Sequence, residues 1–130
     1  MSLALRRAAL GCYIAAVLVL TLWPGLKLPE TAVRRPDLIA HAGLYGLLTL
    51  LMIGARVGGP PTLGARNIFV GGAITLAIAS AAEAAQGLPG INRVAGWDDG
   101  AANALGVFAV CALMLLVGAI DDQKRTGSGA

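Results

Sequence analysis

Residues 100–120 read GAANALGVFAVCALMLLVGAI, a run of twenty-one residues without a charged side chain. As a helix it rises about 30 Å, the thickness of the hydrocarbon core of a bilayer. Working outward, three more stretches have the same character: 8–26, 38–55 and 67–82, the last lengthening to Gln86 if Glu83 sits near its end. Between them lie short segments rich in Pro, Gly and charge, such as Pro24-Gly25, Arg34-Arg35-Pro36-Asp37, 56–66 and Leu88-Pro89-Gly90, which suit turns between antiparallel helices. The expectation is an all-α polytopic membrane protein: one domain of four transmembrane helices over about 8–26, 38–55, 67–86 and 100–120. A small-residue tail over about 124–130 is expected to be disordered.

Composition agrees with that class. Of 130 residues, 57% are hydrophobic and 13% charged, whereas a soluble domain carries about a quarter charged residues. A spanning sheet is excluded, because it must close into a barrel of at least about eight strands and four runs cannot supply them. Arg6-Arg7 before an apolar run has the shape of a signal peptide. Leu22-Trp23-Pro24-Gly25, however, is not a small-x-small cleavage site and three further spans follow, so the first helix is expected to remain.

The net charge of +3 comes from ten Lys and Arg scattered over helix ends, not from a basic face, so no nucleic-acid partner is expected. The basic residues report topology instead. Arg6, Arg7, Arg56, Arg66, Lys124 and Arg125 fall on one side, and Lys27, Arg34, Arg35 and Arg93 on the other. Six against four favours an N-in/C-in orientation, with both termini cytoplasmic. Cys12 and Cys111 fall inside spans without His or carboxylate partners at ligand spacing, and both read as small core hydrophobes. No metal site and no cofactor are expected. Small residues four apart, Ala42 and Gly46 in the second span and Ala102 and Gly106 in the fourth, suit close helix packing, as does the alanine-rich third span from Ala77 to Ala85.

Against this apolar background the polar residues stand out. Asp37 and His41 are one turn apart at the start of the second span, with Asp37 placed as an N-cap after Pro36. Glu83 and Gln86 share a face at the end of the third. Asp98 and Asp99 open the fourth, with Asn103 one turn beyond Asp99, and Arg93 lies in the preceding loop. Alternating topology puts all of them at one end of the bundle, which the charge count makes extracytoplasmic. Each also has a structural reading: capping for Asp37, Asp98 or Asp99, an ion pair for Glu83 with Arg93, interhelical hydrogen bonds for His41, Gln86 and Asn103, and an interfacial anchor for Trp97.

Asp37-x3-His41, Glu83-x2-Gln86, and Arg93 followed by Asp98-Asp99 and Asn103-x2-Gly106 together resemble the signature of the VanZ-like family, small bacterial membrane proteins named for a teicoplanin-resistance accessory protein. The resemblance covers the second, third and fourth spans, about two-thirds of the chain, and departs where the family often has Lys after its first Asp and this chain has Leu38. It implies a four-helix protein of the bacterial cytoplasmic (inner) membrane, with glycopeptide-type resistance as the role attached to the family's name. It carries no mechanism.

Three functional readings fit. In the favoured one, Asp37, Gln86, Arg93, Asp98 and Asn103 line an outward pocket for an anionic envelope lipid, a lipid-linked cell-envelope precursor or a glycopeptide, with Arg93 as anion binder and Arg34 and Arg35 nearby. In the second, His41 and Glu83 are the general base and acid of a membrane enzyme acting on a phospholipid or polyprenyl phosphate, and Asp99 orients the histidine. With no G-x-S-x-G, no H-E-x-x-H and a single histidine, the common hydrolase patterns are missing. The third makes the same residues a proton relay in a small transporter. It is disfavoured because no charge lies in the inner half of any span.

Overall fold

The computed structural model describes residues 1–23, 35–88 and 96–127. It contains four helices: α1 (Leu3–Leu22), α2 (Pro36–Gly54), α3 (Ala65–Gln86) and α4 (Trp97–Gly127). All four are long and apolar enough to cross a membrane, which makes the chain a multi-pass membrane protein. Leu47, Leu50, Phe69, Leu105, Phe108 and Leu116 project outward from the bundle. Such a surface would aggregate in water and is solvated by lipid chains.

Local chemistry explains the helix ends. Ser2 caps α1 by accepting from the Leu5 backbone N–H. Pro36 occupies the first position of α2, where its missing N–H costs nothing, and Arg35 before it takes a left-handed conformation at φ 75°. Asp37 is therefore inside the first turn and is not the N-cap expected from sequence; there it meets the positive end of the helix dipole. At the far end of α2, Arg6 of α1 donates to the Gly54 carbonyl at 3.3 Å, satisfying a terminal acceptor. Helix α4 continues seven residues past the apolar run, so 124–127 of the expected tail are helical. Arg125 pairs with Asp121 one turn earlier, and the Thr126 hydroxyl bonds to the Asp122 and Gln123 carbonyls.

Helices α2 and α3 form the middle of the bundle, with α1 and α4 on either side of the pair; α1 and α4 do not touch among the described residues. The tightest seam is α2 against α4. A methyl group added at Gly106 would land on the Ala42 carbonyl oxygen and lie 2.8 Å from its carbon, and one added at Gly46 would lie 3.3 Å from the Gly106 carbonyl oxygen. Backbones meet there, as in other small-residue membrane seams. On α3 close contacts fall at Gly71, against Met52 and Ile53, and at Gly72, against Cys111 and Val107, and Ala79 and Ala82 are buried. Cys111 is thus a core residue, but Cys12 faces outward, because α1 has only one packed face.

The α2–α3 turn is closed by a residue that the sequence did not advertise. Asn67, fully buried, donates to the carbonyls of Ile53 and Thr62, each at 2.8 Å, and accepts from the Gly58 N–H at 2.9 Å. Its amide is satisfied within the protein, which a polar group at that depth requires.

Gly106→Ala is expected to destabilise the bundle by about 1–3 kcal/mol through overpacking. Gly43→Ala, where an added methyl meets nothing within 4 Å, is expected to be neutral or slightly stabilising. Thermal unfolding of the two variants in detergent measures the difference.

Candidate functional site

The starts of α2 and α4 and the end of α3 lie at one end of the bundle, so His41, Glu83 and Asn103 come together from three helices. Asn103 is the hub. It is 1% exposed, donates from Nδ2 to Glu83 Oε1 at 2.6 Å, and places Oδ1 3.0 Å from His41 Nδ1. Glycine 100, one turn before it, makes room: a Cβ there would lie 3.0 Å from Glu83 Oε2.

The amide orientation sets the donor pattern around the histidine. With Glu83 ionised the carboxylate only accepts, and the Asn103 amide turns its NH2 toward Glu83 and its carbonyl oxygen toward the histidine. The His41 Nδ1 must then donate. In the neutral ring the proton sits on Nδ1 and the lone pair on Nε2, an arrangement set by the partner of the other ring nitrogen. His41 is therefore oriented by Asn103, whereas the sequence reading assigned that task to Asp99. The reason is register: Asn103 lies one turn deeper than Asp99, at the depth of His41 and Glu83.

A second polar pair closes the end of the α2–α4 seam. Arg35, before α2, makes a salt bridge with Asp98 in the first turn of α4. The hydrogen bond to Asp98 and then the charge of that carboxylate raise the Arg35 guanidinium above its already high range, with Asp37 and Asp99 adding to the effect. Asp99 donates its backbone N–H to the Gly96 carbonyl at 3.0 Å and to Asp98 Oδ1 at 3.2 Å. Asp98 thus holds Arg35 directly, and the charges of Asp37 and Asp99 act on it from the same helix starts.

Not every expected residue joins the group. Gln86 is buried and donates to the Thr21 carbonyl at 3.0 Å, so its side chain ties α3 to α1. Arg93, and with it the expected Glu83–Arg93 pair, lies outside the described residues, as does Arg34. Arg35, read from the sequence only as a neighbour, is the described cation of this end. Among the described residues no group of His, Cys, Asp or Glu side chains is arranged to hold a metal ion.

Beside these groups a groove of about 690 Å³ runs between α2 and α4. Arg35 and Asp98 stand at its polar end, and His41, Glu83 and Asn103 do not line it. The hydrogen-bonded chain and the groove therefore lie apart, the chain reaching toward α3.

Because the chain contains a single histidine, its tautomer can be read without assignment ambiguity. With 15N-labelled histidine, His41 is expected to show the Nδ1–H tautomer, the minor neutral form of the free histidine side chain. Asn103→Leu is expected to release it to Nε2–H and to cost about 1–3 kcal/mol by leaving Glu83 without its donor. An Nε2–H ring in the unmutated protein contradicts the hydrogen-bond pattern.

No family model, curated protein or solved structure matches this chain. The polar end of the bundle must be understood from its own chemistry.

Proposed function

We propose that this protein is a VanZ-like membrane protein that binds an anionic envelope lipid or lipid-linked cell-envelope precursor at the polar end of its bundle. The observation that carries the reading is the presence, at one end of a bundle whose spans are otherwise almost free of charge, of both the Glu83–Asn103–His41 chain and the Arg35–Asp98 pair. Three capped helices need none of the Glu83–Asn103–His41 chain, and polar groups at membrane depth are expensive unless they serve packing or function. Arg35 keeps donors beyond the one engaged by Asp98, in the planar geometry that suits a phosphate. The resemblance to the VanZ-like signature rests on the same positions and makes the bacterial inner membrane, and a contribution to glycopeptide-type resistance, part of the proposal.

An enzymatic reading has one observation in its favour: the hydrogen bond from His41 to Asn103 leaves Nε2 of the neutral ring as a proton acceptor. In that reading His41 is the general base and Glu83 the acid, on a phospholipid or polyprenyl phosphate. The absence of both side chains from the groove lining favours binding over chemistry.

Two measurements test the proposal. Native mass spectrometry of the purified protein is expected to find a co-isolated phosphate lipid, with its occupancy reduced at least threefold in His41→Gln and Asp99→Asn variants that remain folded. Unchanged occupancy leaves these residues as helix-to-helix ties alone. For orientation, a cysteine introduced at Leu88 in a Cys12→Ser, Cys111→Ser background is expected to react with an impermeant maleimide in intact cells. Labelling only after permeabilisation reverses the N-in/C-in assignment and moves the site to the cytoplasmic leaflet.

A further inference from the structure

The α2–α4 groove has a physical origin in the seam beneath it. Where Gly106 and Ala42 bring the two backbones into contact, small side chains floor the furrow: Ala42, Gly43, Ala101 and Ala102. Ile39, Leu105 and Trp97 stand up on either side, 63%, 68% and 88% exposed. From Asp98 to Leu105 the furrow follows α4 for about 10 Å at 1.5 Å per residue. Its volume is in the range of small-molecule sites. Because both walls belong to membrane-spanning helices, hydrocarbon is the material that surrounds it.

The polar end restricts which amphiphile fits. Arg35 supplies a guanidinium and Asp98, paired with it, a carboxylate. An anion seated on Arg35 lies against the Asp98 carboxylate and is repelled by it unless it brings donors of its own. A phosphate flanked by hydroxyl groups meets both needs, giving its oxygens to Arg35 and its O–H donors to the carboxylate. Trp97 stands beside the pair at the position of an interfacial ring.

We infer that the groove seats one hydrocarbon chain of a phosphate lipid whose headgroup carries hydroxyl donors, with the phosphate on Arg35; this rests on the lipid-binding reading above and names the part of the ligand that the groove takes. Seating the phosphate loosens or shares the Arg35–Asp98 pair. The floor residues decide whether the chain enters.

Trp97 provides a reporter at the groove itself, because Trp23→Phe removes the other tryptophan. The Trp23→Phe protein is reconstituted into phosphatidylcholine vesicles containing chain-brominated lipid, which quenches tryptophan on contact. Quenching is expected to reach half-maximum at a mole fraction at least threefold lower for brominated phosphatidylglycerol than for brominated phosphatidylcholine. Gly43→Leu fills the floor at a position where an added Cβ meets nothing within 4 Å, and Ala101→Leu does so from the facing helix. Each is expected to abolish the preference while retaining helical circular dichroism, and Arg35→Gln is expected to abolish it through the headgroup. Equal quenching by both lipids in the otherwise unmutated protein overturns the inference, as does a preference that survives in both leucine variants. Stronger quenching by brominated phosphatidylethanolamine than by phosphatidylglycerol overturns the headgroup assignment. In each case a phosphate lipid still co-isolated in native mass spectrometry, and lost in His41→Gln, leaves the lipid-binding proposal standing.

Discussion

The backbone contact between α2 and α4 at Ala42 and Gly106 governs the rest of the molecule. In lipid there is no hydrophobic force to gather helices, so association relies on close packing and on hydrogen bonds between them. Glycine at 106 and at 46 lets two helix backbones touch, which no side chain bearing a Cβ at Gly106 would allow. Two consequences follow from that single approach. Asn103, one turn from Gly106, is drawn against His41 of α2; on the outer side the same approach leaves a furrow between taller side chains.

The hydrogen bonds are distributed to match. Tyr13 donates to the Leu44 carbonyl and Arg6 to that of Gly54, joining α1 to α2, and Gln86 joins α3 to α1 through Thr21. Asn67 closes the opposite turn. Most of these are side chain to backbone and complete in themselves. The Glu83–Asn103–His41 chain differs because it links side chains of three helices to one another and ends on an imidazole ring. That distinction, more than the number of polar residues, separates the candidate site from structural ties elsewhere in the bundle.

The α2–α4 groove and the hydrogen-bonded chain share an end of the bundle without sharing a surface. A bound amphiphile would have its chain on the α2–α4 face and its headgroup over the helix starts, where Arg35, Asp98 and Asp99 lie. The Arg35–Asp98 pair sets a guanidinium and a carboxylate side by side at the groove's polar end, a donor next to an acceptor.

The sequence by itself determined the four helices, their membrane character and the end at which the polar residues gather, because hydrophobic run length and alternating connectivity depend on no tertiary contact. It also pointed to the residues of the small seam, Ala42, Gly46, Ala102 and Gly106. Partner choice was not legible. Nothing in the spacing distinguishes Asn103 from Asp99 as the residue facing His41, or Gln86 as a tie to α1 from Gln86 as a pocket residue, since each pair of roles differs only in helix rotation. The same holds for Arg35, whose pairing with Asp98 spans 63 positions, and for Asn67, an ordinary polar residue until its three hydrogen bonds are seen. Only the tertiary structure decided these, because the rotation of each helix about its axis is set by which small residues pack, and that is a property of two helices together.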